Sequence, residues 1–162
     1  KDAAEKVALA AIKYGDLSNQ VAKDYIFDME RFTSFEGNTG PYILYTIVRI
    51  KSLMNKLAEQ DIVVDEDAVI LPPENKSQTD VMLSIAKWSE TVEAAYAEQA
   101  PHKICQFVYE LSDAFNKFYH DNKIITNEDE KVRASYILLS QLVGRALETG
   151  IDLLGLEAPE KM

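Results

Sequence analysis

The sequence predicts an all-α protein, a bundle of four or five main helices with short connections. Apolar residues recur at three- and four-residue steps through its long segments, and no run shows the every-second-residue alternation of a half-buried strand. Helix-start signals, a capping side chain or a proline in the first turn, stand ahead of those segments. With 162 residues, the chain is one domain, or one domain with a piece of a neighbour, and is long enough to bury a sizeable core.

Residues 3–14 read as a first helix, with Gly15 suited to the left-handed position past its end. An irregular stretch follows, and Asp28 is placed to cap a short helix through MERFTSF. The clearest helix of the first half opens with Asn38 or Thr39 as cap and Pro41 in the first turn, where the missing N–H costs nothing. It runs to about Gln60. Ile43, Ile47, Ile50 and Met54 line one stripe, with Leu53 and Leu57 beside it, while Tyr42, Tyr45, Arg49 and Lys56 follow another face. The segment from Asp61 to Gln78, acidic and with two prolines, reads as a loosely held linker. Ser77 with Asp80 has the spacing of a capping box for a helix to about Glu98.

Pro101 opens the next helix, to about His120, with Ile104, Phe107, Val108, Leu111, Phe115 and Phe118 as its apolar set. Asn127 with Glu130 then caps the last long helix, whose inward stripe is Val132, Tyr136, Leu139, Val143, Ala146 and Leu147. Gly150 is expected to break or bend it, with one more turn before Pro159.

Composition removes several function classes. No run is long enough to span a bilayer, and the charged start (Lys1, Asp2, Glu5, Lys6) is not a secretory signal. The chain begins inside a helical pattern and reads as a piece of a longer protein. Cys105 is the sole cysteine, which rules out an internal disulfide and a Cys-based zinc site; in its apolar context it reads as a small buried hydrophobe in a reducing cytoplasm. A net charge of −10 argues against a general nucleic-acid binder. Yet residues 37–58 contain no Asp or Glu and do contain Arg49, Lys51 and Lys56, either a local basic strip or a solvated face that happens to lack acids.

The sequence carries little that points to catalysis. His102 and His120 are far apart and belong to no metal spacing, the six glycines are scattered singly, and nothing pairs a nucleophile with a base. No catalytic or metal residue is assigned. What remains is aromatic and basic side chains on helix faces. Tyr42 and Tyr45 beside Arg49 either stack bases and hold phosphates or pack in the core with satisfied hydroxyls. Tyr119 and His120, at a helix end, are better placed for exposure, and Tyr136 for the core.

Two segments carry a resemblance. The stretch AIKYGDLSNQVAKDYIFDMERFTSFEGNTGPYILYTIVRI resembles the passage from the catalytic domain of arginyl-tRNA synthetases into their anticodon-binding domain. ASYILLSQLVGRALETG and the closing GIDLLGLEAPEKM resemble the end of that helical domain. The likeness spans nearly the whole chain, and GNTGPY together with EAPEKM makes it specific. It implies a division into residues 1–36, the end of the catalytic domain with a connector, and residues 37–162, the anticodon-binding bundle. The partner implied is arginine tRNA, bound through its anticodon loop, with no DNA and no membrane, in a cytoplasmic and monomeric parent.

In that family a tyrosine late in the penultimate helix and the terminal methionine shape a base pocket, and the helix after GNTGPY lines the same side. The matching positions are Tyr119, Met162, Tyr42, Tyr45 and Arg49; Lys51 and Lys56 join them as phosphate contacts from the basic strip. Where many relatives carry an arginine in the last long helix, this chain has Tyr136, with Arg133 one turn earlier. The HIGH and KMSKS signatures that bind ATP are absent, so ATP with magnesium belongs to the parent and this stretch is expected to need no cofactor and to be inactive alone.

Every arginine codon has G in its second place, so every arginine anticodon has C in the middle. One cytosine pocket would serve all arginine tRNAs, with Tyr119 as stacking face and Met162 closing it. The competing reading, drawn from the global charge, is an acidic helical protein–protein interaction module with no RNA role.

Overall fold

The computed structural model describes residues 2–162, so Lys1 lies outside it. It contains seven helices: α1 (Asp2–Leu17), α2 (Met29–Phe32), α3 (Gly40–Glu59), α4 (Lys76–Ala86), α5 (Trp88–Ala97), α6 (Pro101–Asp121) and α7 (Glu130–Leu153). No strand occurs among the described residues, so the all-α expectation holds. The five long helices read from sequence are present, one of them in two pieces.

Helices α3, α6 and α7 enclose the core, α4 and α5 pack on α6, and α1 packs on α3. The apolar stripes point where their spacing demands. Ile43, Ile47, Ile50, Leu53 and Leu57 of α3 meet Val108, Leu111, Phe115 and Phe118 of α6 and Leu139, Val143 and Leu147 of α7 in one buried cluster. Cys105 is fully buried, and burial pushes its thiol up to about 12, as befits an inert core residue.

The loop before α3 shows what each residue of GNTGPY does. Gly37 takes φ +75, a left-handed conformation with open space around it. Tyr14, fully buried on α1, donates its hydroxyl to the Cys105 carbonyl 2.7 Å away, and the Asn38 side-chain amide lies 2.6 Å from that Tyr14 hydroxyl oxygen. One buried hydroxyl thus ties α1, the loop and α6 together. Thr39 is the cap: its hydroxyl accepts the Tyr42 N–H at 3.2 Å. Gly40 lets the first turn of α3 rest on the backbone of α1, since a Cβ there would collide with the Ala10 carbonyl.

Five local expectations need correction. Gly15 does not end α1. It lies inside the helix, where a Cβ would stand 2.6 Å from the Phe32 ring. Gly150 does not break α7 either. It is buried against Val108 of α6, and α7 ends instead at Gly155, φ +66. There the Leu156 N–H bonds the Ile151 carbonyl and the Gly155 N–H that of Asp152, a Schellman ending. Asn75, not Ser77, caps α4 by accepting the Gln78 N–H, while Asp80 pairs with Lys76. The expected helix to Glu98 is interrupted at Lys87, whose ψ of −4 ends α4. The chain restarts at Trp88, whose ring packs 5.1 Å from that of Phe107. Asp129, not Asn127, caps α7; Asn127 accepts the Asp129 N–H one step earlier.

The segment after α3 is irregular as expected but fastened along its length. Ile62 and Val64 pack on the core, and the Leu71 N–H donates to Ser135 Oγ at 2.9 Å. Gln78, buried in α4, donates to Asn122 and to the Tyr136 hydroxyl and accepts the Glu74 N–H. These bonds tie the end of the segment to α6 and α7.

Candidate nucleic-acid interface

The helical register of α3 sorts the residues singled out from sequence. Tyr42, Tyr45, Arg49 and Lys56 fall on one face. Lys51, two residues past Arg49, lies about 200° around the helix. The expected single basic strip is therefore two separate surfaces.

On the first face the side chains form a connected cluster. Asn116 of α6 is its hub. Its Nδ2 donates to the Tyr42 hydroxyl and to Thr46 Oγ1, both at 3.0 Å, and its Oδ1 accepts from Arg49 Nη1 at 2.7 Å. Arg49 Nη2 donates to the Tyr45 hydroxyl at 3.2 Å. The guanidinium carbon then stands 4.9 Å from the Tyr45 ring centre and 5.3 Å from that of Tyr119. Both separations are within cation–π reach. Tyr119 in turn packs on Phe115 at 6.1 Å, and Tyr42 on Tyr109 at 6.0 Å.

The question of core or surface resolves differently for each ring. Tyr42 is half-buried, and burial raises its hydroxyl pKa, with nearby Asp113 adding to the effect and the Asn116 hydrogen bond opposing it. Tyr45 is 42% exposed. Tyr119 is half-buried, with its neighbour His120 fully out in solvent. The cluster of Tyr45, Arg49 and Tyr119, braced by Asn116 and Tyr42, brings two aromatic rings and a guanidinium together, groups that can stack on bases and hold phosphate. Lys56 is exposed on the same side and has no ion pair among the described residues.

Lys51 faces α7 and the closing segment. Its ammonium lies 2.6 Å from Glu160 and 3.4 Å from Glu148. Burial works against its charge, but the Glu160 hydrogen bond and both carboxylates outweigh that and raise its pKa. Glu160 is lowered, chiefly by its hydrogen bond to Lys51. The linkage signs follow. The glutamate contribution is lost only as the pH falls through its depressed value, and the lysine contribution only as the pH rises through its elevated one, so the pair persists through the neutral range. Met162 lies two residues beyond Glu160 and is 45% exposed; none of the hydrogen bonds or ring contacts that gather the α3–α6 cluster involves it.

Neither residue weighed for the family arginine is free. Tyr136 is buried, its hydroxyl accepts from Gln78 at 2.7 Å, and burial raises its pKa. Arg133 donates to the Asn127 carbonyl at 3.0 Å and leans toward Glu130. Sequence reasoning also missed Asn116. Its signal was weak: an asparagine mid-helix at the edge of a clean apolar stripe, where propensity alone would not put one. Among the described residues, no group of three His, Cys, Asp or Glu could hold a metal ion, and no helix is long and apolar enough to cross a membrane.

Residues 43–162 match the family described as the DALR anticodon binding domain. The chain is 59% identical over 161 residues to the arginine–tRNA ligase of Agathobacter rectalis, covering 98% of this chain and 27% of that protein. It is 49% identical over 157 residues to the ligase of Alkaliphilus oremlandii, covering 97% of this chain and 26% of that one. Among solved structures it resembles the arginyl-tRNA synthetase of Thermus thermophilus, with TM-score 0.87 at 30% identity over 99% of this chain and 27% of the other. The Plasmodium falciparum enzyme aligns with TM-score 0.84 at 27% identity over 98% of this chain and 27% of its own. The chain thus spans roughly a quarter of the length of the curated relatives it matches.

Proposed function

Because the chain belongs to the DALR anticodon-binding domain family, we propose that it is the anticodon-binding part of an arginine–tRNA ligase and that Tyr45, Arg49 and Tyr119 form its RNA-facing platform. The observation that carries the site is the guanidinium held against two rings, with the exposed Lys56 two turns further along the same helix face. Tyr42 and Asn116 hold that platform in place, and Lys56 contacts phosphate. Met162, two residues past the Glu160 anchor and outside that cluster, would touch the anticodon loop from the segment that follows α7. The parent would join arginine to tRNA with ATP and magnesium, as a monomeric cytoplasmic enzyme; this chain alone binds RNA and does not catalyse.

Residues 1–36 form a connector to the parent's catalytic domain and residues 37–162 the RNA-binding bundle. Two observations support that division. The family match starts just inside the second part, and exposed large apolar side chains crowd the first, among them Leu9, Ile12, Val21, Ile26, Phe27 and Phe35. Exposed apolar side chains in this number fit contact with another domain better than contact with water. The acidic interaction module remains the rival, favoured only by the net charge; family membership favours RNA.

A binding titration tests this. The chain should bind an arginine tRNA more tightly than a non-cognate one. Lys56→Ala should weaken binding to both about equally and reduce the slope of log affinity against log salt by roughly one unit or less, since a phosphate contact positions without reading sequence. Equal affinity for both tRNAs at every salt concentration would remove the anticodon reading.

A further inference from the structure

The second surface of α3 has a role of its own. Lys51 is only 23% exposed at its side chain and stands between two carboxylates that offset its charge, with Arg145 lining the same groove. An RNA phosphate approaching it would meet Glu148 and Glu160. Meanwhile the chain beyond α7 is held at three points. Lys13 donates to the Gly155 carbonyl at 3.0 Å, Lys6 pairs with Glu157 at 2.7 Å, and Lys51 pairs with Glu160. Leu156, Ala158 and Pro159 are buried between these anchors. The last anchor sits at a groove of about 500 Å³ between α3 and α7, floored by Ile47, Ile50 and Met54. Lys161 and Met162 follow it.

We infer that Lys51 is a positioning residue: with Glu160 it fixes the segment that carries Met162, and it does not itself hold RNA phosphate. This rests on the RNA-binding reading above and deepens it. Lys51 acts on RNA through the segment, so removing either member of the pair should have one and the same consequence. A phosphate-contacting Lys51 would behave oppositely, because removing Glu160 would free the ammonium for RNA.

The test uses the 162-residue chain with Lys51→Met, Glu160→Gln and both together. Glu160 is an exposed side chain, so its variant should fold normally. Amide hydrogen exchange at Leu156, Glu157, Ala158 and Glu160 is measured without RNA, and an arginine anticodon stem-loop is titrated at several salt concentrations. Each single variant should speed exchange across the segment and weaken stem-loop binding by about two- to fivefold, the range of one surface ion pair, with the salt slope unchanged. The double variant should be no worse than either single one. The inference is overturned if Glu160→Gln tightens binding while Lys51→Met lowers the salt slope by about one, or if exchange in the segment does not change. A wild-type chain that binds no stem-loop overturns the functional reading and with it the RNA half of this inference. The exchange result still judges the anchoring alone.

Discussion

Gly40→Val is expected to destabilise the chain by at least about 3 kcal/mol, the upper end of the usual overpacking cost. A Cβ at Gly40 would collide with the Ala10 carbonyl, and that group is backbone inside α1, so no rotamer change relieves the contact. The valine would have to push α1 away from α3. That separation would also strain the buried Tyr14 hydroxyl, which binds the Asn38 side chain and the Cys105 carbonyl. For a chain of this length the expected drop in melting temperature is about 6–12 °C. Gly37→Ala provides the contrast. Its surroundings are open, and only the left-handed backbone is strained, at about 1–2 kcal/mol. Urea unfolding of both variants measures the difference. Equal midpoints would mean that α1 does not rest on α3 as described.

Tyr119→Ala is expected to have the largest effect on RNA binding. An aromatic under a base contributes about 1–3 kcal/mol, so affinity for an arginine anticodon stem-loop should fall roughly fivefold to 150-fold. Two effects combine. The ring is lost as a stacking surface, and Arg49 loses one of the two rings that hold its guanidinium. Tyr119→Phe should retain most of the affinity, because the hydroxyl takes no part in the cluster's hydrogen bonds. If alanine and phenylalanine weaken binding alike, stacking is not what Tyr119 supplies.

What was legible in the sequence follows from which forces are local. The apolar stripes of α3, α6 and α7 could be read because burial imposes the helical period directly on residue type. The Thr39 and Asp28 caps and the prolines opening α3 and α6 could be read for the same reason: each acts within one turn. Gly15 and Gly150 were misread because a glycine that ends a helix and a glycine that admits a neighbour look identical in one dimension. Only the positions of Phe32 and Val108 tell them apart. The site divided in the same way. Register alone placed Tyr42, Tyr45, Arg49 and Lys56 on one face. That Lys51 is held by Glu160, 109 residues away, and Arg49 by Asn116, 67 away, depends on the tertiary fold.

Reading of an arginine anticodon loop by this surface is tested by changing one base. Two stem-loops, identical except for C or U at the middle anticodon position, are titrated against the wild-type chain and against Tyr119→Ala at a single fixed salt concentration. The wild type should prefer C by about tenfold or more, roughly 1.4 kcal/mol, and the variant should lose affinity together with much of that preference. Equal affinity of the wild-type chain for the two stem-loops, or no binding to either, would contradict it.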